Sequence, residues 1–414
     1  MYKLNCILNY LSERKYFLQG LINNMKKIIV SLLLILSATF SFAQSWKKLH
    51  YNAVVVDTHN DFPSLAIDEH FSFDQNLYGK ANSDLARAKK GGLDAQLFSI
   101  WCDGDKQNPY AWANREIDSV YEWVRRNPST MMMVYSPEDL QKAVSEKKFA
   151  AMLGMEGGHM IEDKIENLDK LYARGVRYMT LTWNNSTSWA TSAADETRKK
   201  DLPHKGLTDF GKQIVKHMND LGMIVDLSHV GEQTFWDAIN TTTKPVIASH
   251  SCVYNLCPHR RNLKDEQIKA IGKNGGVIQL NFYSGFLDST YDKKQAAFLK
   301  VHKTELDSLV KAGSQPDLAV QVLYKQYKKE TDDFRPPLSL LIDHIDYIVK
   351  MIGVDHVGLG SDFDGCESTP LGLDGVEDYP LITKALKKRG YSNEDVVKIL
   401  GGNFIRVFKE VQKH

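Results

Sequence analysis

Val54-Val55-Val56-Asp57-Thr58-His59-Asn60-Asp61 starts as a β-branched run and breaks into polar residues without a Gly-rich turn. Seven more short apolar runs follow: Ala95–Ile100, Ala150–Met155, Tyr178–Thr182, Met223–Leu227, Pro245–Ser249, Gly276–Asn281 and His356–Gly360. Polar segments of helical period separate them, such as Trp112–Arg126, Leu207–Leu221 and Lys264–Lys273. Gly92, Gly175, Gly222 and Gly275 stand where a helix would end before the next strand. Apolar strands alternating with helices predict a parallel sheet covered on both faces. Eight such units predict a (β/α)8 TIM-like barrel. An open doubly wound sheet would usually carry a Gly-rich phosphate turn after its first strand. Asp57-Thr58-His59-Asn60-Asp61 stands there instead. The interval from Tyr283 to Asp355 is long, and its charged part, Tyr291–Thr331, reads as a helical insertion near the active face. No repeat or low-complexity linker divides the chain, so a single domain is expected over 44–414.

Composition excludes several classes. The 414 residues are 43% hydrophobic and 25% charged, as in ordinary globular proteins. Lys and Arg number 52 against 51 Asp and Glu, which argues against a general nucleic-acid binder. Five cysteines are too few for a disulfide scaffold, and spacing does not say whether any of Cys102, Cys252, Cys257 and Cys366 pair. Met25-Lys26-Lys27 opens onto an apolar run, Ile28 to Phe40, and then Ser41-Phe42-Ala43. That pattern predicts a secretory signal cleaved after Ala43, with Met25 as the expected start and residues 1–24 as leader. The run is short of the roughly 20 apolar residues a span needs. No Cys follows it to carry lipid. The expected location is therefore the periplasm or the exterior, without a stable membrane anchor.

Chemistry-bearing residues follow the strands. The first ends in His59-Asn60-Asp61, the third in Glu156-Gly157-Gly158, the fifth in Asp226-Leu227-Ser228-His229. The sixth ends in Ser249-His250-Ser251 and the eighth in Ser361-Asp362-Phe363-Asp364-Gly365. In a barrel these ends converge on one mouth. His59 and Asp61 share a strand face, and imidazole with carboxylate suits zinc. Glu156 has two oxygens and could bridge to a second ion held by His229 and His250. Two ions about 3.5–4 Å apart would activate a bridging water as nucleophile. Each residue has a blander role. A lone His is usually hydrogen-bonded structure, and an Asp in such a loop is usually a helix cap. The inference rests on the whole set falling at four strand ends. Asp57 either orients a ligand or is a satisfied core carboxylate. His159, His204, His259, His344 and His356 read as structural. Trp101, Trp183 and Trp189 are candidate pocket walls, although aromatics are more often core.

These residues resemble the membrane (renal) dipeptidase family of zinc peptidases, in the amidohydrolase-like barrel group. The likeness covers about residues 50–410. It rests on Val56-Asp57-Thr58-His59-Asn60-Asp61-Phe62-Pro63, Gly154-Met155-Glu156-Gly157-Gly158-His159 and Val225-Asp226-Leu227-Ser228-His229. It rests also on Ser249-His250-Ser251, Arg260-Arg261-Asn262, Asn281-Phe282-Tyr283 and the stretch Asp355 to Gly365. The resemblance implies two Zn2+ per chain, one on His59, Asp61 and Glu156, the other on Glu156, His229 and His250. It implies hydrolysis of dipeptides by a metal-bound hydroxide, with D-residues at the C-terminal position left open. Arg261 and Tyr283 would meet the substrate carboxylate. Asp362 would receive the free amino group and move protons, joining Glu156 as catalytic. Arg260 and Arg261 could instead be a surface pair, and Asp364 rather than Asp362 could face inward. A homodimer is among the assemblies the resemblance allows.

One stretch departs from the family. Animal members carry a Leu-Thr-His whose His polarises the scissile carbonyl; here it is Leu181-Thr182-Trp183-Asn184-Asn185. Trp183 has one N–H and no charge to offer. It is expected to wall the substrate, with Asn184 or Asn185 as the alternative donor. The absence of a Lys there argues against a phosphotriesterase-like relative. A zinc hydrolase of another amide, lactam or lactone remains the alternative, and a non-catalytic binder the second.

Overall fold

The computed structural model describes residues 3–4, 6–7, 10, 25–26, 45–313 and 316–413. The expected signal run, Ile28 to Phe40, and the cleavage position after Ala43 lie outside the described residues. The unit His50–His414 carries the whole sheet. Its strands are β1 (Val56–Asn60), β2 (Ala95–Trp101), β3 (Met131–Met133), β4 (Phe149–Glu156), β5 (Val176–Thr180), β6 (Ile224–Asp226), β7 (Ile247–Ser251), β8 (Val277–Leu280) and β9 (Val357–Leu359).

All neighbours pair in parallel, in the order β1-β2-β4-β5-β6-β7-β8-β9. The ring comes nearly to closure just past the strands. Asp362 N donates to His59 O at 3.1 Å and Asp61 N to Phe363 O at 3.0 Å. This is the eight-stranded barrel the alternation predicts. The short β3 was not anticipated. It pairs with the first half of β4, from Met131 against Phe149 to Met133 against Ala151, where β5 does not reach; β5 joins only from Leu153. Three residues between helices carry too little periodicity to be told from a loop.

The helices stop as their sequences dictate. Thr208 caps the helix Asp209–Leu221 by accepting from Gly211 N, and Gly222 ends it at φ 75°. Gly275 does the same after Asp265–Asn274 at φ 81°. Positive φ is free of steric cost for glycine.

The barrel has an apolar end and a polar end. At the apolar end Val56, Leu97, Met152, Ile224, Ile247 and Val277 pack against Phe404, Val407, Phe408 and Val411 of the C-terminal helix Asn403–Val411. Each such buried side chain stabilises by about 1.5–3 kcal/mol relative to exposure. With that end plugged, the polar residues gather at the opposite mouth.

Between β8 and β9 lie the helices Tyr291–Val301, Lys303–Lys311, Pro316–Gln326 and Lys328–Asp332. They hold their own apolar cluster of Tyr291, Phe298, Leu323, Tyr324 and Phe334. Cys102, Cys252, Cys257 and Cys366 are buried free thiols. Among the described residues no helix is long and apolar enough to cross a membrane.

Candidate metal centre

Five strand ends deliver their polar residues to one point. Glu156 ends β4, with Oε2 3.3 Å from His59 Nε2. Its Oε1 faces the other way, 2.7 Å from His229 Nε2 and 3.3 Å from His250 Nε2. His229 and His250 bring their Nε2 atoms within 3.0 Å of each other. On the far side of His59, Asp61 Oδ1 lies at 3.7 Å and Asp362 Oδ1 at 3.9 Å. His59, Glu156 and His250 can share one ion, and so can His59, Asp61 and Asp362. His59 Nε2 and Asp61 Oδ1 are buried without a hydrogen-bond partner. Leaving buried polar atoms unmatched costs about 1–3 kcal/mol each, a cost that a cation seated among them removes. The donor set of imidazole and carboxylate suits a metal such as zinc.

The electrostatics agree. Burial lowers His59, but Glu156, Asp61 and Asp362 outweigh it and raise the ring to about 10. Burial drives His229 down to about 3, helped by Arg261, and lowers His250 with help from His59. Glu156 is held low despite its burial by His59 and His229. The carboxylates thus draw positive charge to the His59 side, where without a cation it is a proton on His59 that a metal would have to displace, while His229 and His250 are kept neutral, the form in which an imidazole binds metal.

Buried neighbours fix the ring orientations. Tyr178 donates to Thr58 O at 3.0 Å, so its oxygen accepts from His59 Nδ1 at 2.9 Å, which makes Nε2 the nitrogen that faces Glu156. Gly154 makes room for this contact, since a Cβ there would meet Tyr178 Cζ at 2.0 Å. Ser249 plays the same part for His250. Its hydroxyl donates to Asp226 Oδ2 at 2.6 Å and accepts from His250 Nδ1 at 2.8 Å. Asp226 also accepts from Ser249 N, Ser228 N and Thr180 Oγ1. His229 and Asp362 hold φ of 65° and 63°, a left-handed backbone uncommon outside glycine. Such strain is typically stored at functional sites.

The remaining expected residues divide. Asp362 faces inward and accepts from Asn281 Nδ2 at 2.9 Å. Asp364 turns away to bind Asn82 N at 2.6 Å, so it is not the inward carboxylate. Arg261 is buried, with Nη2 donating to His250 O at 3.3 Å and Nε unmatched. It is no surface residue. The Tyr283 hydroxyl donates to Glu367 at 2.8 Å. Trp183 is half-buried at the mouth, edge-on to Trp101 at 5.1 Å and 6.4 Å from the His229 ring. Asn184 O accepts from Ser192, and Asn185 packs its side chain against Gly104. Asp57 is a satisfied core carboxylate, bound by Ser361 N at 2.8 Å and Ser361 Oγ at 2.6 Å. His344 and His356 are tied to backbone atoms, as expected of structural histidines.

Sequence reasoning missed Tyr178, Ser249 and Asn281 as supports. Their alternation along the strands would have aimed Tyr178 and Thr180 to one face, but nothing local marks a tyrosine as the partner of a distant histidine.

Comparison with known proteins gives the same picture. Residues 43–414 match the family described as Membrane dipeptidase (Peptidase family M19). An uncharacterised dipeptidase of Schizosaccharomyces pombe is 32% identical over 391 residues, covering 89% of this chain and 83% of that protein. The probable dipeptidase PvdM from Pseudomonas aeruginosa has the same fold, with a TM-score of 0.71 at 26% identity, over 90% of this chain and 98% of that one. A metallopeptidase from Rhodobacter sphaeroides, solved with a phosphinate mimic of the dipeptide L-Ala-D-Ala, matches at a TM-score of 0.69 and 20% identity, over 87% and 99%. The family match spans the barrel from before β1 to the C-terminal helix and includes every strand end that feeds the mouth, so this chain belongs to the membrane dipeptidase family, the metallo-dipeptidases of peptidase family M19.

Proposed function

We propose that the protein is a secreted zinc dipeptidase with two ions per chain. His59, Asp61 and Glu156 would hold one ion, and Glu156, His229 and His250 the other. The observation that carries this reading is the placement of Glu156. Its two oxygens face two separate imidazole groups, at 3.3 Å on one side and 2.7 Å on the other. A carboxylate so placed could hold both ions of a two-metal site.

When bound, the metal pair supplies Lewis acidity toward the scissile carbonyl and acidifies a water. The protein's own residues do the rest. Tyr178 and Ser249 hold the imidazoles in the tautomer that offers Nε2. Arg261 takes the C-terminal carboxylate of the substrate with the fork geometry a guanidinium offers. Asp362, anchored by Asn281, receives the substrate ammonium and carries a proton to the leaving amine. A chain longer than two residues would put an uncharged amide before Arg261, which sets length specificity. Trp183 lies over the mouth as an apolar wall beside His229. Export to the periplasm or exterior rests on the Met25–Ala43 pattern.

Hydrolysis assays test the reading. The zinc-loaded protein should cleave free dipeptides and fail on N-blocked ones. The Rhodobacter relative's ligand makes a D-residue at the second position the first variation to try. Turnover of lactones with free dipeptides untouched would favour the alternative hydrolase, which the Trp183 replacement keeps open.

A further inference from the structure

A cavity of about 410 Å3 adjoins the metal centre at His229. Small-molecule pockets run to about 300–1,000 Å3, so it can take a residue-sized group. Four cations line it: Lys205, Arg260, Arg261 and Lys264. Two are neutralised by carboxylates of the same wall. Lys205 lies 3.8 Å from Glu196, and Lys264 lies 2.7 Å from Glu232. Arg260 and Arg261 form no ion pair among the described residues, and each has a buried Nε without a partner. Burial and the nearby Arg198 hold the Arg260 guanidinium below its ordinary range, opposed by Asp292. His259 accepts from Arg261 N and stacks on Phe286, so it brings no negative charge. The carboxylates whose field reaches Arg261 are Glu156, Asp362 and Asp226, which belong to the metal centre and its support.

A dipeptide with an apolar second residue brings one negative charge to this cavity, its terminal carboxylate. Two guanidinium groups await it. Arg260 is half-buried, feels only Asp292 as a nearby carboxylate and keeps a buried Nε without a partner, so it is the guanidinium free to take a second anion. The geometry points to a preference for dipeptides whose C-terminal residue has an acidic side chain, with Arg261 on the main-chain carboxylate and Arg260 on the side-chain carboxylate. This rests on the dipeptidase reading above and adds the side-chain class. Glu196 and Glu232 do not oppose it, since each is already paired with a lysine. Arg260 is thereby a specificity residue, next to but separate from the group that grips every dipeptide.

The test compares kcat/KM for Ala-Glu with its neutral isostere Ala-Gln, using L- and D-forms of the second residue. The zinc-loaded wild type, Arg260→Gln and Arg260→Lys are assayed together. Wild type should favour the acidic substrate by about tenfold or more, the scale of one charged hydrogen bond. In Arg260→Gln the ratio should fall to within about twofold of unity. Arg260→Lys keeps the charge without the fork and should retain part of the preference. Calorimetric binding of free glutamate against free glutamine reads the same subsite without turnover. Equal handling of Ala-Glu and Ala-Gln by wild type overturns the proposal, and so does a preference that survives in Arg260→Gln. If Arg260→Gln fails to fold, the wild-type ratio and Arg260→Lys decide. If no dipeptide is cleaved at all, the dipeptidase reading fails, and the calorimetry still decides the subsite.

Discussion

Replacing Tyr178 with Phe removes one oxygen from a fully buried position. That oxygen accepts from His59 Nδ1 at 2.9 Å and donates to Thr58 O at 3.0 Å. Phe keeps the ring packed over Gly154 and removes both hydrogen bonds. Each lost bond costs about 1–3 kcal/mol, so the metal-free fold should lose roughly 2–6 kcal/mol. The functional effect is separate. Binding a cation takes the Nε2 proton from His59, and without Tyr178 nothing holds the remaining proton on Nδ1, so the ring is no longer fixed in the form that offers Nε2. Losing the outer partner of a metal-bound histidine commonly weakens the metal about 10–100-fold. Chelator competition followed by elemental analysis measures that loss, and urea denaturation of metal-free protein measures the stability. Metal affinity within about twofold of wild type, in a variant that has lost stability, would refute the orienting role.

Ser249→Ala cuts the link between His250 and Asp226, so it should release the ion on the His229 and His250 side and leave the other; simultaneous loss of both would argue against two separable sites. Arg261→Ala should raise KM for dipeptides about 10–100-fold, from a charged hydrogen bond of about 1.5–3 kcal/mol. C-terminal amides should suffer less, and equal losses on both would make Arg261 structural. Trp183→His should reorder preference among dipeptides. A kcat change of the same factor on every substrate, with KM unmoved, would instead mark a transition-state role.

The barrel was legible because its eight apolar runs recur between helical segments, and burial on both faces leaves little ambiguity about such strands. Strand ends were less legible. The first strand was expected at Val54–Val56 but runs from Val56 to Asn60, because its polar residues Asp57 and His59 belong to the sheet, Asp57 tied to Ser361 and His59 facing Glu156. The metal-centre residues could be found from sequence, since each is an ionisable residue at a strand end. Their supports could not. Tyr178 lies 119 positions from His59 and gives no local sign of the contact. The Tyr283 contact with Glu367, 84 positions on, is likewise beyond any local pattern. Arg261 could be named as a candidate for the substrate carboxylate, but how the lysines and glutamates pair around its cavity is not visible in the sequence.

The most direct test of the central claim is metal content per chain in purified wild type and in Glu156→Gln. The account predicts two zinc ions in wild type. It predicts loss of both occupancy and dipeptidase activity in the variant, because one carboxylate faces both imidazole groups. A single ion in active wild type, or full occupancy and activity in Glu156→Gln, would contradict it.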